Sequence, residues 1–389
     1  MSKLKQIAKI AARECAIMRR HSIYGFCMIV FPVLVVIFFT SIMHEGVPED
    51  MPVGVVDDDN TPTTRAMVRR LDAMQSSHVE GRYATVDEAR EAIQRNHIYA
   101  FLYIPKGTTA GLARGTRPKM SLYYSGVTMV AGSLLFKDMK TVATLASAQV
   151  GAGKLAAIGK SGEEIKATLQ PVAIDLHLIG NPWLSYNIYL STTMVPGLLM
   201  LFIFLITPYS IGTELKFNRS KEWLAMAGGD IRVAMAGKLL PQAAIFLTIF
   251  YAYEFYIFHV LGFPHPGGVA PILLLGLLAV AACEGAGVFA FGLWPSLRMS
   301  MSMCSLWSVL SFSMCGATFP VFAMDPMIEA MAGLFPLRHY YMVYQMTIFN
   351  GFPLAAAWRD IAALGVFALL PALTLWNVRK AMLKYVYIP

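Results

Sequence analysis

The sequence predicts an α-helical polytopic membrane protein with six transmembrane helices and an inserted external α/β domain. Of its 389 residues, 56% are hydrophobic and only 14% are charged, a composition typical of membrane proteins. Six apolar stretches are long enough to supply the ~20 residues that a spanning helix needs. One long polar stretch, 45–182, separates the first apolar stretch from the other five.

Residues 1–22 predict a basic amphipathic helix at the cytoplasmic membrane surface. Six Lys and Arg residues are interspersed with apolar residues at helical spacing, a pattern that favours an anionic membrane face. Residues 23–44 then form the first predicted transmembrane helix. The basic stretch is too long for a signal peptide and no small-residue cleavage site follows the helix, so we expect an uncleaved anchor.

The polar region 45–182 predicts a small α/β domain. Between positions 45 and 175 there are fifteen basic and fifteen acidic residues, so this region carries no net charge. Apolar strand patterns alternate with helical ones, which favours a mixed fold. The strands are expected at 52–56, 78–83, 98–104 and 119–124, and the helices at 63–74, 86–96, 127–159 and 162–169. We interpret the acidic run 57–59 as turn and cap chemistry in preference to a cation site.

The region 183–389 contains the remaining five predicted spans. They cover 185–211, 237–261, 269–294, 299–322 and 356–376. The loop 212–236 is too charged for lipid, yet it carries an apolar stripe at Leu215, Trp223, Leu224 and Met226. A short amphipathic segment between two spans is suited to docking a soluble partner. The apolar run 327–335 between two prolines is too short to cross a ~30 Å core, so the segment 320–337 predicts a re-entrant or interfacial helix.

The distribution of Lys and Arg predicts the topology. With the N-terminus inside, fifteen cations lie at the cytoplasmic ends of spans, whereas the outer ends of the later spans carry only Arg338 and Arg359. This bias, together with an even number of spans, places both termini in the cytoplasm and 45–182 outside. The formal net charge of +8 is therefore attributed to topology, and no nucleic-acid partner is expected.

No sequence motif indicates catalysis or metal binding. The chain has no phosphate-binding loop, no nucleophile elbow and no zinc-protease motif, so we expect neither an enzyme nor a nucleotide or metal site. The five cysteines all lie outside 45–175 and predict no disulfide framework.

Two acidic residues lie within predicted spans, and both are candidates for a substrate path because ionisable groups are costly in a membrane. Glu254 falls near the outer end of its span, where it could instead extend to the membrane surface or bond to a nearby tyrosine among Tyr251, Tyr253 and Tyr256. Glu284 lies deeper, beside glycines that permit close helix approach. A structural hydrogen bond between helices is its alternative role.

Several strings together resemble the membrane subunit of type-2 ABC exporters, in the subgroup with a large periplasmic domain after the first span. Arg13-Glu14 followed by Phe31-Pro32 is similar to the start of the family's first span. The other matching strings are 53–62, 100–107, 214–224 with 237–241, and 316–327 with 334–337. The resemblance covers essentially the whole chain.

The resemblance implies a non-catalytic permease that pairs with a second permease subunit and is driven by a separate ABC ATPase subunit. ATP and Mg would then be bound by that partner. The implied ATPase-coupling residues are Glu214, Lys221, Glu222, Trp223, Leu224 and Met226, and the implied outer-gate residues are Phe319, Pro320, Pro326 and Pro336.

We therefore expect a permease in a bacterial inner membrane that exports an amphiphilic, drug- or lipid-like substrate. Membrane lipid is an expected partner, and a periplasmic adaptor is a further candidate. The alternative is a membrane-anchored receptor or assembly protein whose external domain binds a partner. A segment such as 320–337 distinguishes the two, because a simple anchor has no need of it.

Overall fold

A computed structural model describes residues 2–385 except 173, 174, 176 and 179. The chain divides into two units, one formed by Met1–Gly46 with Leu178–Pro389 and the other by Val47–His177. The first unit is helical and contains the apolar stretches. The second contains a β-sheet with helices.

The N-terminal part of the helical unit begins with α1, Lys3–Arg20, which ends where His21 adopts an extended backbone. The next helix contains α2 (Ser22–Gly25), a π-helical turn (Phe26–Val30) and α3 (Phe31–Ile42). Pro32 has no backbone N–H to donate to the carbonyl oxygen of Met28. This missing helical hydrogen bond is a physical reason for the irregular turn.

Five helical stretches in the described part of the chain are long and apolar enough to cross a membrane. They are Ser22–Ile42, Asn187–Lys216, Ile231–Val260, Val269–Leu293 and Leu354–Lys384. The second stretch contains α9 (Thr192–Lys216), the third α11 (Ile231–Phe255), the fourth is α12 (Val269–Leu293), and the last contains α16 (Trp358–Leu369) and α17 (Pro371–Lys384).

The expected fifth span, 299–322, is wrong at its C-terminal end. Its helix, α13, covers Leu297–Met314 and is not among the five stretches that qualify by length and composition. Gly316 then takes a left-handed backbone with φ of +94°, a conformation that ends helices. The count of six spans stays a prediction.

The segment after α13 is built from short helices. A 3₁₀ turn covers Val321–Ala323, α14 covers Pro326–Ala332 and α15 covers Pro336–Val343. A π-helical stretch, Tyr344–Phe349, continues α15. Asp325 caps α14 by accepting a hydrogen bond from the backbone N–H of Met327 at 3.0 Å.

The second unit contains a four-stranded sheet in the order β2-β1-β3-β4. Strand β1 pairs in parallel with β2 and β3, and β3 pairs antiparallel with β4. The strands are β1 (Met51–Asp57), β2 (Ser77–Arg82), β3 (Ala100–Ile104) and β4 (Ser121–Tyr124). The helices are α4 (Pro62–Asp72), α5 (Val86–Gln94), α6 (Thr108–Arg114), α7 (Met129–Ala157) and α8 (Gly162–Leu169).

Every strand and helix predicted between 52 and 169 is present with small boundary shifts, and only α6 was not predicted. The alternating side chains of β1 and β3 contribute to two cores. One contains Val53 and Leu102 with residues of α4 and α7, and the other contains Phe101 with residues of α5. The sheet is therefore covered on both faces, as expected for parallel strands.

The acidic run 57–59 has the turn and cap role. Asp57 accepts hydrogen bonds from the backbone N–H groups of Asp59 and Asn60. Asp59 accepts from the backbone N–H groups of Gly107 at 2.7 Å and Thr109 at 2.8 Å, which caps α6. These bonds engage carboxylate oxygens that a cation would otherwise need.

Candidate functional site

A short helix, α10, lies between α9 and α11 and covers Ser220–Met226. Asn218 precedes it with φ of 54°, and Gly228 and Gly229 follow it with φ of 63° and 81°. These left-handed residues allow the tight turns at both of its ends. The predicted coupling loop 212–236 is corrected accordingly, because α9 continues to Lys216 and α11 already begins at Ile231.

The side chains of α10 divide into an inner and an outer face. Trp223 is fully buried and Leu224 is 3% exposed, in a core with Leu215 and Phe291. The outer face presents Lys221, Glu222 and Ala225, and Met226 is half-buried. We predicted Trp223 and Leu224 as ATPase-coupling residues. In the structure the chain itself covers both, and also Leu215 of the apolar stripe, so any coupling through Trp223 and Leu224 would be indirect, and that role stays a prediction.

Beneath α10, four charged side chains from α1, α9 and α11 form an ion cluster of Arg13, Glu14, Glu214 and Lys238. Arg13 donates both terminal nitrogens to the two oxygens of Glu214, at 2.8 and 2.9 Å. Lys238 Nζ donates to Glu14 Oε2 at 2.7 Å and to Glu214 Oε1 at 2.8 Å. The two cations balance the two anions.

The ion cluster is almost completely buried. The side chains of Glu14, Glu214 and Lys238 are at most 1% exposed, and that of Arg13 is 15% exposed. The hydrogen bond to Glu214 raises the pKa of Arg13. Lys238 Nζ also lies 5.2 Å from the ring centre of Trp223, which joins the ion cluster to α10. Buried charges of this kind persist only when they are paired.

Close packing fixes α1 against α11. A Cβ atom on Gly237 would lie 2.7 Å from Ile10 Cβ and 3.0 Å from the carbonyl oxygen of Ile7. Ile10 and Glu14 are fully buried. The predicted interfacial helix 1–22 therefore packs on protein along one face, and this face carries two members of the ion cluster. Only Glu214 of the cluster was predicted as a site residue.

The predicted outer-gate residues lie around α14 and α15. Phe319 is 52% exposed, and Pro320 precedes the 3₁₀ turn. Pro326 and Pro336 begin α14 and α15, where a missing N–H costs nothing. Pro336 is buried. These prolines therefore divide the segment into its short helices, and their gating role stays a prediction.

Hydrogen bonds join this segment to neighbouring helices. Arg338 Nη1 donates to the carbonyl oxygen of Cys315 at 2.9 Å, and Trp307 Nε1 donates to that of Leu334 at 2.9 Å. His339 pairs with Asp360 at 2.7 Å. The segment is thus attached to α13 and α16.

Glu254 is buried, at 2% exposed, and its partners differ from those expected. Its two carboxylate oxygens accept from the hydroxyls of Tyr340 and Tyr344, both at 3.4 Å. The suggested bonds to Tyr251, Tyr253 or Tyr256 are not found among the described residues: Tyr253 donates to the carbonyl oxygen of Ser191. Glu254 therefore connects α11 to α15 and to the π-helical stretch after it.

Glu284 lies in α12, is 8% exposed and has an Oε1 atom without a hydrogen-bond partner among the described residues. The expected close helix approach around it is confirmed. A Cβ on Gly285 would lie 2.4 Å from the carbonyl oxygen of Phe367, and one on Gly287 would lie 2.9 Å from Thr207 Cβ. No bond between helices is seen for Glu284 in the part of the chain described.

Long apolar helices define a multi-pass membrane protein, and within residues 2–385, apart from the gaps, no cluster of His, Cys, Asp and Glu could hold a metal ion. The model of one family, described as ABC-2 family transporter protein, matches residues 22–376. The chain belongs to this family and is a membrane permease of an ABC transporter. A comparison with curated proteins gave no match. The family implies an ABC ATPase partner and pairing of permeases.

Proposed function

We propose that this permease exports an amphiphilic, drug- or lipid-like substrate across a bacterial inner membrane, driven by ATP hydrolysis on a separate subunit. Both termini are cytoplasmic and the unit Val47–His177 is periplasmic, as the distribution of Lys and Arg favours. The membrane portion has few ionisable residues within its spans, which suits an apolar substrate better than an ion.

The arrangement of α10 and the ion cluster is the observation that carries the proposal. The outer face of α10 presents Lys221 and Glu222 to a partner. Its inner face is joined through Trp223 to Lys238, and from there to Glu14 on α1 and Glu214 on α9. A displacement imposed on α10 would therefore reach two spans and the N-terminal helix together.

In this mechanism the outer face of α10 receives the movement of the ATPase and the ion cluster distributes it. Paired buried charges resist separation, because an uncompensated buried charge costs several kcal/mol. The helices should therefore move as one body. At the other end of α11, Glu254 contacts Tyr340 and Tyr344, which lie beyond the segment 320–337 proposed as the outer gate.

A charge swap on the outer face tests the proposal. The double variant Lys221→Glu with Glu222→Lys keeps the net charge and leaves Trp223 in place. We expect normal folding in detergent but a loss of binding to the ABC ATPase, or of substrate-stimulated ATP hydrolysis. The matched control is Arg90→Glu with Glu91→Arg, another adjacent exposed pair, in the other unit.

Co-purification of the permease with its ATPase and the rate of ATP hydrolysis are the two measurements. Unchanged binding and hydrolysis in the Lys221/Glu222 swap would contradict the role of α10. If no nucleotide-binding subunit associates with the wild-type chain, the receptor or assembly alternative takes precedence. A pull-down with the full-length chain would show whether a periplasmic adaptor joins the complex, and subunit counting would separate homodimer from heterodimer.

A further inference from the structure

A cavity of about 200 Å³ with a mixed polar and apolar lining lies in the helical unit, at the ends of α9 and α15 away from the ion cluster. Its lining contains six uncharged polar side chains, namely Asn181, Tyr189, Thr192, Tyr341, Gln345 and Asn350. None of its described lining residues is Asp, Glu, Lys, Arg or His.

Two π-helical segments border the same cavity. Ile188 and Tyr189 come from the segment Asn187–Ser191, and Gln345 and Phe349 come from Tyr344–Phe349. A π-helical turn is rare, and it occurs frequently at functional sites because the extra residue redirects side chains. Two of the four π-helical segments in the described part of the chain therefore border this one cavity.

The cavity offers both donors and acceptors to a ligand. Gln345 Nε2 donates to the hydroxyl oxygen of Tyr341 at 2.5 Å, which leaves the proton of that hydroxyl for another acceptor. Within the described residues, Gln345 Oε1 and the side-chain amide of Asn350 take part in no hydrogen bond found. Tyr341 is only 6% exposed, so its ring and hydroxyl are held in place.

Aromatic rings complete the lining. Tyr189, Tyr341 and Phe349 supply apolar faces beside the polar groups. The nearest cation on the same helix, Arg338, is engaged with the carbonyl oxygen of Cys315. Uncharged hydrogen-bonding groups next to aromatic rings match a ligand that has hydroxyls and apolar C–H faces but no formal charge.

We propose that this cavity binds the uncharged, hydroxyl-rich head group of an amphiphile, such as a sugar carried on an alkyl chain. This rests on the proposed function, because it names the head-group chemistry of the exported substrate. Tyr189 also donates its hydroxyl to the carbonyl oxygen of Ala317, three residues before the segment 320–337. A bound head group would therefore contact the side chains that hold this segment.

The experiment measures binding to the full-length permease in lipid nanodiscs without ATP. The probes are octyl glucoside, octyl sulfate and octyltrimethylammonium, each below its critical micelle concentration, so that only the head group differs. Equilibrium dialysis with radiolabelled probes gives the affinities. We expect octyl glucoside to bind at least about tenfold more tightly than either charged probe.

Two variants locate the site. Tyr341→Phe and Gln345→Leu should each weaken octyl glucoside binding about fivefold to tenfold, the usual effect of losing one hydrogen bond. Tyr251→Phe is the control, because its hydroxyl donates to the carbonyl oxygen of Leu273, outside the lining. Thermal unfolding of each variant shows whether the fold is retained.

Equal affinity for the three probes would overturn the proposal, as would preferential binding of octyl sulfate through Arg338. Retained octyl glucoside binding in both folded variants would do the same. Failure here is distinguishable from failure of the proposed function, since ATPase association is measured separately. If the ATPase binds but the glucoside does not, only this inference fails.

Discussion

Buried acidic side chains of the helical unit are held in two different ways. In the ion cluster, Glu14 and Glu214 are paired with Arg13 and Lys238 at distances of 2.7–2.9 Å. Outside the ion cluster, Glu254 has only two tyrosine hydroxyls at 3.4 Å, and Glu284 Oε1 has no partner among the described residues.

This difference distinguishes buried acids that hold helices together from buried acids whose oxygens can still accept further hydrogen bonds. Charge pairs with short, well-directed bonds keep three helices together. A buried acid with weak or missing partners adds nothing comparable to stability, so its retention is better explained by function or by a partner subunit. The predictions below test this contrast, from the largest expected effect to the smallest.

Removing the shared cation should have the largest effect. Lys238→Met keeps a long, unbranched side chain but leaves Glu14 without a cation in the described part of the chain. We expect a loss of about 3–5 kcal/mol in the free energy of unfolding, the usual cost of breaking a buried ion pair on one side. The measurement is denaturation of the purified permease in mild detergent.

Two further variants make this prediction specific. Lys221→Met removes an exposed Lys of α10 and should change stability by less than about 0.5 kcal/mol. Adding Glu14→Gln to Lys238→Met should recover part of the loss, because the uncompensated carboxylate is then neutral. Equal stability of Lys238→Met and the wild type would show that the ion cluster does not hold the helices together.

Glu284→Leu should act in the opposite direction. If Glu284 lacks a partner in the functional protein, replacing it should raise stability by about 1–3 kcal/mol, the cost of an unsatisfied buried polar group. Glu329→Leu, an exposed position on α14, is the control. A loss of stability in Glu284→Leu would instead indicate a hydrogen bond supplied by a second permease subunit.

The positions of most helices and strands could be predicted from the sequence, because they follow from local patterns. Runs of about 20 apolar residues identify spans, and a short apolar and aromatic run closed by a turn identifies a strand such as β3. The end of α13 at Met314 could not be read from hydropathy, because the apolar run continues past Gly316 while the backbone there turns left-handed.

The site was predictable only in part, because its interactions join distant residues. The sequence showed an apolar stripe in the loop and suggested Trp223 as a contact to the ATPase, but not that the chain itself would cover Trp223. Arg13 and Glu214 are 201 positions apart, and no local pattern reveals such a pair. Likewise, tyrosines close in sequence to Glu254 were the natural expectation, whereas its partners lie 86 and 90 positions away.

In the sheet-containing unit, the carboxylate of Asp59 is stabilised by backbone N–H groups. This differs from both the charge pairs of the ion cluster and the tyrosine hydroxyls around Glu254. The bonds from Thr109, then from Gly107, lower the pKa of Asp59. Because the folded-state pKa is lowered, the contribution to stability is present above the unfolded value of about 3.9 and is lost as pH falls through the folded-state pKa.

The variant Asp59→Asn should therefore be less stable by about 1 kcal/mol at pH 7, because asparagine has one acceptor oxygen for the two N–H groups and loses the charge that strengthens these bonds, and equally stable at low pH. Thermal unfolding of the full-length chain between pH 7 and pH 3 measures this. Glu80→Gln, which changes an exposed carboxylate, should show no such convergence. A difference that persists unchanged at pH 3 would mean that the charge of Asp59 is not what caps α6.

The tyrosines around Glu254 should give the smallest effect. A length of 3.4 Å is at the upper limit for a hydrogen bond, so Tyr344→Phe should cost only about 0.5–1 kcal/mol. In a Glu254→Leu background the same change should cost less, because the acceptor is gone. Tyr253→Phe, whose hydroxyl donates to Ser191, should cost the same in both backgrounds. If the coupling energy between Tyr344 and Glu254 were as large as the stability lost in Lys238→Met, the contrast between the ion cluster and Glu254 would be wrong. Both ends of α11 would then be held by interactions of equal strength.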